Sequence, residues 1–292
     1  MNKRLKGSLT LFGAVIIWGS AFIAQSMGME LIGPFTFQAI RCGLAVLFLI
    51  PVSFLFDRKP GALKRWLDPR LWRSGLICGL ALFAAASLQQ VGLVYTDAGK
   101  AGFLTAMYIV LVPILGLFLG QKPGKSAWFS VGLAVVGLYL LSCMGVSQIN
   151  IGDILLAGCA LAYAVQITCI DRLAGDLDGV RLNCVQALVV TVLSIPFMVF
   201  TETVDIGNIL ACSLPLAYAG ILSMGVAYSL QIVGQKYLEP TTASLIMSLE
   251  SVIAALCGWL ILKETMTPWE LLGCGLVFAA VIISQLPKKE TT

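Results

Sequence analysis

Histidine is absent from the 292-residue sequence, which removes the side chain that most often acts as a general base or metal ligand. The GxxxxGK[ST] pattern of a phosphate-binding loop is also absent, which argues against ATP hydrolysis by this chain. No two of the nine cysteines form a C-x-x-C pair, and most lie in apolar runs where a thiol packs as a small apolar group. No metal or other cofactor is therefore expected, and the chain is not expected to be an enzyme.

Charged residues are scarce, at 12% of the chain, against about 25% in a typical soluble domain. Hydrophobic residues make up 59%, and the mean hydropathy is +0.93. A single soluble core cannot bury so much apolar surface, so lipid must cover much of it. The basic residues form no stripe with interleaved aromatics, so no nucleic-acid partner is expected. The composition predicts a protein whose main surroundings are the lipid bilayer.

Ten apolar stretches are long enough to cross a bilayer as helices, which takes about 20 residues. Turn residues such as Gly33-Pro34 and Thr267-Pro268 separate them. The longest connection, 57–71, is too short to hold a soluble domain. The sequence therefore predicts an all-α integral membrane protein with ten transmembrane helices, at residues 7–28, 34–56, 72–95, 98–120, 126–145, 151–171, 180–200, 211–235, 240–262 and 268–286.

The basic residues indicate the orientation of these spans. If the N-terminus is cytoplasmic, 16 of the 19 Lys and Arg fall on the cytoplasmic side, as the positive-inside rule requires. The exceptions are Arg41, Lys100 and Lys263. The sequence thus predicts a multi-pass protein of the cell (inner) membrane with both termini in the cytoplasm. The sixteen residues are Lys3, Arg4, Lys6, Arg58, Lys59, Lys64, Arg65, Arg70, Arg73, Lys122, Lys125, Arg172, Arg181, Lys236, Lys288 and Lys289.

The first half of the chain aligns with the second half. At an offset of 145, Trp18 falls on Tyr163 and Arg41 falls on Gln186. Further along, at an offset of 142, LQxVGxxYxD from residue 88 matches LQxVGxxYxE from residue 230. Residues that align in this way are called counterparts below.

The repeat predicts two domains, 1–147 and 148–292, of five helices each. Because five is odd, the second unit must be inserted upside down relative to the first. Inverted repeats are typical of secondary transporters, whose substrate site lies near the bilayer midplane between the repeats.

Three segments are similar to a known family: WGSAF at 18–22, GFLT at 102–105 followed by VPI at 112–114, and SLESVIAALCGWLILKE at 248–264. They resemble the EamA-like branch of the drug/metabolite transporter (DMT) superfamily, and the resemblance extends from the first span to Ile283. It implies a ten-helix transporter that moves small metabolites without ATP, often amino acids or related compounds and often outward. The family commonly has proline after the ninth-span glutamate, whereas this chain has Ser251, so a proline break of that span is not expected.

Arg41 and Glu250 are the only charged residues well inside the predicted spans. A charge at the bilayer centre costs about 2.5–3.5 kcal/mol on insertion scales, so each should face protein or water. Glu250 lies roughly 15 Å deep and is the candidate for binding a coupling proton; alternatively, it ties helices together. Arg41 is a candidate for contacting substrate or a counter-ion; alternatively, it extends outward to the interface.

Uncharged polar and aromatic residues fall in matched sets on the corresponding helices of the two halves. These sets predict a cavity on a pseudo-twofold axis, and the alternative is ordinary hydrogen bonding between helices, worth about 0.6 kcal/mol on average. The predicted substrate-binding residues are Trp18, Phe22, Gln25, Gln38, Arg41, Gln89, Tyr108, Tyr163, Gln166, Asn183, Gln186, Tyr228 and Gln231.

The sequence thus favours a secondary transporter that moves a small metabolite by alternating access. A passive channel or a membrane interaction protein is the alternative, and a membrane-embedded enzyme is less favoured because the chain has no histidine and only two deep charges. The expected partners are a small-molecule substrate and a proton or another coupling ion. The sequence leaves the substrate, the direction of transport and the oligomeric state open.

Overall fold

The computed structural model describes residues 2–55, 61–96, 98–142, 150–261 and 266–286. Within these ranges the chain is helical and contains no strand. Ten helices are long and apolar enough to cross a membrane, which confirms the predicted number. They are α1 Lys3–Met29, α2 Pro34–Leu55, α3 Pro69–Leu93, α4 Lys100–Phe118, α5 Lys125–Ser142, α6 Ile151–Leu173, α7 Gly179–Thr201, α8 Ser213–Gln235, α9 Pro240–Leu260 and α10 Pro268–Gln285.

Capping residues set several helix starts that hydropathy alone placed less well. α3 begins at Pro69 because the Asp68 side chain accepts the hydrogen bond of the Arg70 N–H, three residues before the predicted start. Short helices that the sequence did not predict occupy Ala62–Trp66 and Ile206–Ala211. The predicted ends of spans 2, 5 and 9 and the predicted domain boundary lie outside the described residues.

Two spans are interrupted at corresponding places. Around the break in α4 the helical segments are Ala98–Ala106 and Tyr108–Phe118, and around the break in α9 they are Pro240–Met247 and Leu249–Ile261. The break in α9 occurs at Ser248, whose hydroxyl donates to the carbonyl of Leu245 and so competes with the helical backbone. The absence of the family's proline after Glu250 therefore does not leave α9 continuous.

α8 contains a π-helix at Tyr218–Ala227, a segment that the sequence did not predict. The wider turn changes the backbone pairing, and the Asn183 side-chain amide donates to the carbonyls of Met224 and Gly225, at 2.8 and 3.0 Å. This segment runs close to α2, because a Cβ on Gly220 would lie 2.8 Å from the carbonyl oxygen of Arg41. Glycine at this position permits that approach.

The helices of the two halves are interleaved rather than side by side. α5 packs on α10, α2 on α7, α3 on α6, α1 on α8, α4 on α6 and α1 on α9. At the ends of the bundle, a guanidinium nitrogen of Arg4 donates to the carbonyl of Ser284 at 2.6 Å. The start of α1 and the end of α10 therefore lie on the same face of the bundle.

The outer surface is apolar. Phe200, Phe118 and Leu214 are 85%, 84% and 78% exposed, whereas glutamines and serines are among the buried residues. This distribution is the reverse of that in a soluble protein, as expected for a bundle surrounded by lipid. The helical membrane fold predicted from the sequence is confirmed.

Candidate functional site

A cavity lies at the centre of the bundle, between α1, α2, α3, α4, α6, α8 and α9. Its volume is about 40 Å³, enough for about three water molecules. Ten of the fourteen predicted site residues line it, so the matched polar sets do converge. The lining consists of Trp18, Phe22, Gln25, Arg41, Gln89, Tyr108, Tyr163, Ile167, Ser223, Tyr228, Gln231, Met247 and Glu250.

Glu250 lies just after the break in α9, and Tyr108 lies just after the break in α4. The Tyr108 hydroxyl donates to a carboxylate oxygen of Glu250 at 3.3 Å. Glu250 is 8% exposed and Tyr108 is 4% exposed. The two interrupted helices thus bring a buried carboxylate and a hydrogen-bond donor together at the cavity wall.

Arg41 extends from α2 into the same cavity and is 6% exposed, so it does not reach the interface. Its Nη1 donates to Oε1 of Gln25 at 2.8 Å, and its guanidinium lies 5.6 Å from the centre of the Phe37 ring. Among the described residues, no carboxylate forms an ion pair with Arg41, and its Nε has no hydrogen-bond partner. The cavity therefore contains one positive and one negative side chain that do not neutralise each other by contact.

Aromatic side chains form the remaining wall. The Tyr163 hydroxyl donates to Oε1 of Gln89 at 3.2 Å, and it lies 3.2 Å from the Tyr228 hydroxyl. Because Tyr163 has one hydroxyl proton, the Tyr228 hydroxyl acts as the donor in the second contact. The ring of Trp18 meets the edge of Tyr228, with ring centres 4.9 Å apart. Tyr228 thus connects the walls contributed by α1 and α6.

A chain of three amides approaches the cavity from behind. Nε2 of Gln231 donates to Oε1 of Gln166 at 3.3 Å, and Nε2 of Gln166 donates to Oε1 of Gln186 at 3.3 Å. Of the three, Gln231 reaches the lining, whereas Gln166 and Gln186 are both fully buried outside it. Direct substrate contact by these two residues stays a prediction, and the contacts seen here make them supports of Gln231.

Gln38 and Asn183 also lie outside the cavity lining. The Gln38 amide donates to the hydroxyls of Ser87 and Ser194, at 3.0 and 3.1 Å, and the Asn183 amide donates to the hydroxyl of Ser229 at 3.0 Å. Both residues face their neighbouring helices in this conformation. For these two residues the contacts are those of the alternative given by the sequence, ordinary hydrogen bonding between helices, and substrate contact stays a prediction.

Three lining residues were missed by the sequence analysis. Ile167 is the counterpart of Phe22 and could have been found by extending the repeat alignment. Ser223 reaches the cavity from the π-helix, and Met247 precedes the break in α9, so neither follows from regular helix periodicity. In the described part of the chain, no three Cys, Asp or Glu side chains gather into a metal-binding group.

Two larger cavities lie toward the ends of the bundle. One, of about 570 Å³, lies near Glu30 and Glu270, and Phe22 lines both it and the central cavity. The other, also about 570 Å³, lies near Lys236 and Asp171 and shares no lining residue with the central cavity. Phe22 is therefore a side chain that separates the central cavity from one of the two ends.

Comparison with known proteins places this architecture in a family. The family model described as the EamA-like transporter family matches the chain twice, at residues 5–143 and 150–285. An uncharacterized transporter of Archaeoglobus fulgidus is 36% identical over 97% of this chain and 87% of that protein. The threonine/homoserine exporter RhtA of Escherichia coli K12 is 28% identical over 95% of this chain and 90% of that protein.

A solved crystal structure of another protein has the same fold, with a TM-score of 0.77, 17% identity and 96% of each chain covered. That likeness concerns the fold alone, whereas the family matches extend over both halves of the sequence. The chain belongs to the EamA-like transporter family, and it is a multi-pass membrane protein that transports a small solute.

Proposed function

We propose that this chain is a secondary transporter that exports small zwitterionic metabolites of the amino-acid type by alternating access. The observation that carries the proposal is the presence of Arg41 and Glu250 in one buried cavity without an ion pair between them. Two separated opposite charges complement a solute that carries both a carboxylate and an ammonium group. A solute without charged groups would leave both side-chain charges uncompensated, which is unfavourable away from water.

Arg41 is suited to the carboxylate. Guanidinium keeps its charge under all relevant conditions and presents several N–H groups in a fixed plane. Gln25 occupies Nη1, and Nε has no partner among the described residues. The unoccupied donor and the fixed charge support a role in attracting the anionic end of the solute.

Glu250 is suited to an exchange between proton and solute. Its carboxylate accepts one hydrogen bond from Tyr108 and has further lone pairs, so it can bind either a proton or the ammonium group of a solute. Both cannot occupy it at once, so a proton that binds from one side displaces the solute there. This competition gives exchange of solute for protons without ATP, with the proton as coupling ion.

Alternating access is supported by the arrangement of the two halves. Exchanging each helix for the one five places along leaves the six packed pairs named above unchanged; for example, α1 on α9 becomes α6 on α4. The two family-model matches, at 5–143 and 150–285, agree with repeat domains at 1–147 and 148–292. Interrupted spans in corresponding positions are typical of the binding site in inverted-repeat transporters.

The size of the central cavity also fits a cycle with more than one state. A volume of about 40 Å³ holds a few water molecules and is too small for an amino acid. Solute entry therefore needs a rearrangement of the wall, and Phe22 is the residue shared with the larger cavity at one end. Rotation of this one ring, with rocking of α1, would join the two spaces.

The direction of transport is proposed from a relative, and the location and orientation of the protein in the membrane are proposed from its basic residues. A 28%-identical relative is named as an exporter of threonine and homoserine. We place the protein in the inner membrane with both termini in the cytoplasm. The sixteen basic residues predicted on one side support this orientation. The contact between Arg4 and Ser284 supports termini on a common side.

Counterflow in proteoliposomes tests the proposal. Purified protein is reconstituted into vesicles that are preloaded with one unlabelled amino acid from a panel. Uptake of the same compound in labelled form is then followed, with and without a pH gradient. A carrier accelerates labelled uptake above the unloaded rate, whereas a passive channel does not. The zwitterion proposal would be overturned if no amino acid showed accelerated uptake and an anion, or a solute without charged groups, was transported instead.

A further inference from the structure

A groove lies on the outer surface of the bundle between α3 and α7, one helix from each half of the chain. Its volume is about 500 Å³, and the surface that lines it is apolar. It shares no lining residue with the central cavity or with the two end cavities, so it is separate from the proposed path of the solute. The lining includes Trp72, Arg73, Leu76, Val185, Val189 and Val192.

Two glycines of α3 bring the helices together beneath this groove. A Cβ on Gly75 would overlap a methyl group of Val185, and a Cβ on Gly79 would lie 2.7 Å from Cβ of Val189. Glycines four residues apart permit such a close approach of two helices. Val192, further along α7, is 56% exposed. The groove is therefore open toward the lipid along its length.

The length of the groove matches the depth of one lipid leaflet. Gly75 and Val185 contact each other, and each lies six residues past the start of its helix, so the two helices start at one level. Arg73 lies about 6 Å along α3, and Val192 lies about 20 Å along α7. The hydrocarbon of one leaflet is about 15 Å deep. One extended acyl chain can therefore lie along the groove.

The end of the groove near the helix starts carries a positive charge. Because the lining surface is apolar, Arg73 contributes its methylene stem to it, and its charged end stays outside. Arg73 is exposed, and no carboxylate in the described part of the chain forms an ion pair with it. The guanidinium is thus available to an anionic group at the level of the lipid headgroups.

A short basic helix lies next to the same end. Nε1 of Trp72 donates to the carbonyl of Trp66 at 2.7 Å, and this hydrogen bond joins the helix Ala62–Trp66 to the start of α3. The last turn of that helix contains Lys64 and Arg65. Tryptophan is typical of the headgroup level of a membrane, and a basic helix at that level attracts anionic lipids.

We propose that the groove between α3 and α7 binds one anionic phospholipid, with an acyl chain in the groove and the headgroup phosphate at Arg73. Guanidinium binds phosphate through several hydrogen bonds, and the neighbouring basic helix adds to the attraction. A second copy of the chain fits this surface less well. A symmetric contact through the groove would bring the two Arg73 guanidinium groups toward each other.

Native mass spectrometry of the full chain in detergent tests the site. The protein is titrated with phosphatidylglycerol or with phosphatidylcholine, and the two lipids have identical acyl chains. We expect the first phosphatidylglycerol to bind at a concentration at least about tenfold lower. The reason is that one basic residue near an anionic headgroup changes affinity by about fivefold, and several basic residues lie at this end.

Two variants assign the binding to the groove. Arg73→Gln removes the charge and should lower the preference for phosphatidylglycerol by about fivefold. Val192→Trp fills the groove from an exposed position and should weaken binding of the first lipid of either kind. Lys125→Gln is the matched control, because it removes one positive charge from an exposed residue outside the groove lining and should leave the preference unchanged.

Four outcomes would overturn the proposal. Equal binding of the two lipids would remove the role of the basic end, and an equal loss of preference in Arg73→Gln and Lys125→Gln would reduce it to overall surface charge. Displacement of the lipid by an equal concentration of glycerol 3-phosphate would show a phosphate site that does not use the groove. A lipid-free dimer that Val192→Trp abolishes would make the groove a contact between two copies of the chain.

Discussion

Tyr108 donates a hydrogen bond to Glu250 at 3.3 Å, and the two residues are counterparts in the repeat alignment. Counterparts that contact each other lie where a pseudo-twofold axis would pass. The symmetry is broken in charge at this point, because one half supplies a phenol and the other a carboxylate. The carboxylate of Glu250 thus lies where such an axis would run between the two halves.

Glu250→Gln tests whether this carboxylate couples transport to protons. One pH unit across the membrane supports about tenfold accumulation in one-to-one exchange, since it is equivalent to about 1.4 kcal/mol. We expect the variant to lose this gradient-driven accumulation, because an amide does not exchange a proton, and to retain counterflow driven by the solute itself. The measurement is labelled transport with and without an imposed pH gradient.

Asp176→Asn is the control for that change, because it removes a carboxylate that is 78% exposed and lines neither the central cavity nor the two end cavities. Its coupling should equal that of the unaltered protein. Both variants must first show normal membrane abundance and a monodisperse detergent profile. Full gradient-driven accumulation in Glu250→Gln would contradict the proton role and leave the glutamate as a structural partner of Tyr108.

Arg41→Gln should weaken solute binding without removing the pH coupling. A hydrogen bond to a charged group contributes about 1.5–3 kcal/mol, so affinity should fall by about 10- to 100-fold. Glutamine is also the residue found at the counterpart position, Gln186, so the substitution is compatible with the repeat. Half-maximal counterflow concentration reports the change.

Arg41→Lys provides the comparison for charge alone. Lysine retains the positive charge and loses the planar set of donors, so its affinity should fall between those of the unaltered protein and Arg41→Gln. Equal affinity in all three proteins would show that Arg41 does not contact the solute. Its role would then be its hydrogen bond to Gln25.

Sequence periodicity predicted residues that line the central cavity, because these polar residues fall at helical spacing and have counterparts on matching helices. That reasoning succeeded for Gln89 and Gln231, which both line the cavity. The same reasoning could not tell which residue of a polar pair reaches the cavity. Two residues three positions apart lie on one face of a helix, but they are a turn apart along it and can contact different neighbouring helices. Gln38 and Asn183 therefore looked equivalent to Arg41 and lie against adjacent helices instead.

The sequence analysis did not predict the two departures from regular helix geometry that shape the cavity wall. The π-helix in α8 brings Ser223 to the cavity, and the break at Ser248 occurs without proline. The π-helix depends on a partner distant in sequence, because the Asn183 amide bonds to carbonyls of α8. Hydropathy and breaker residues report local preference alone, so they predicted the number of spans and not the bends within them.

Cysteine accessibility tests the position of the two glutamines. In a background without the nine native cysteines, Gln89→Cys and Gln231→Cys should react with small hydrophilic thiol reagents, and solute should slow the reaction. Gln38→Cys is the matched control, because Gln38 is fully buried outside the lining and should react much more slowly. Reaction of all three at one rate would contradict a cavity of the described extent.

Reporter fusions test the topology. Sixteen basic residues on one side and a ten-helix bundle predict that the connections at 145–150 and 201–209 face away from the cytoplasm. Fusions at both connections should therefore give the signal of the outer side, and fusions at either terminus should give the cytoplasmic signal. A cytoplasmic signal at either connection would refute the orientation.

Asn183→Leu should lower stability rather than solute affinity. The two N–H groups of the Asn183 amide are shared among the carbonyls of Met224 and Gly225 and the hydroxyl of Ser229. The near-isosteric leucine removes these donors, and of the three acceptors the Gly225 carbonyl retains the Ser229 hydroxyl as a side-chain donor. We expect a loss of about 1–3 kcal/mol in unfolding free energy, seen as a lower thermal transition in detergent.

Gln38→Leu is the control for Asn183→Leu. It also removes a buried amide, but one that does not bond to the π-helix. Its amide donates to the hydroxyls of Ser87 and Ser194, and the Ser194 hydroxyl is itself bonded to the carbonyl of Val190. No backbone carbonyl loses a described partner in this variant, so its thermal transition should fall less than that of Asn183→Leu. A lower solute affinity in Asn183→Leu at unchanged stability would instead make Asn183 a substrate-binding residue, as its position in the repeat suggested.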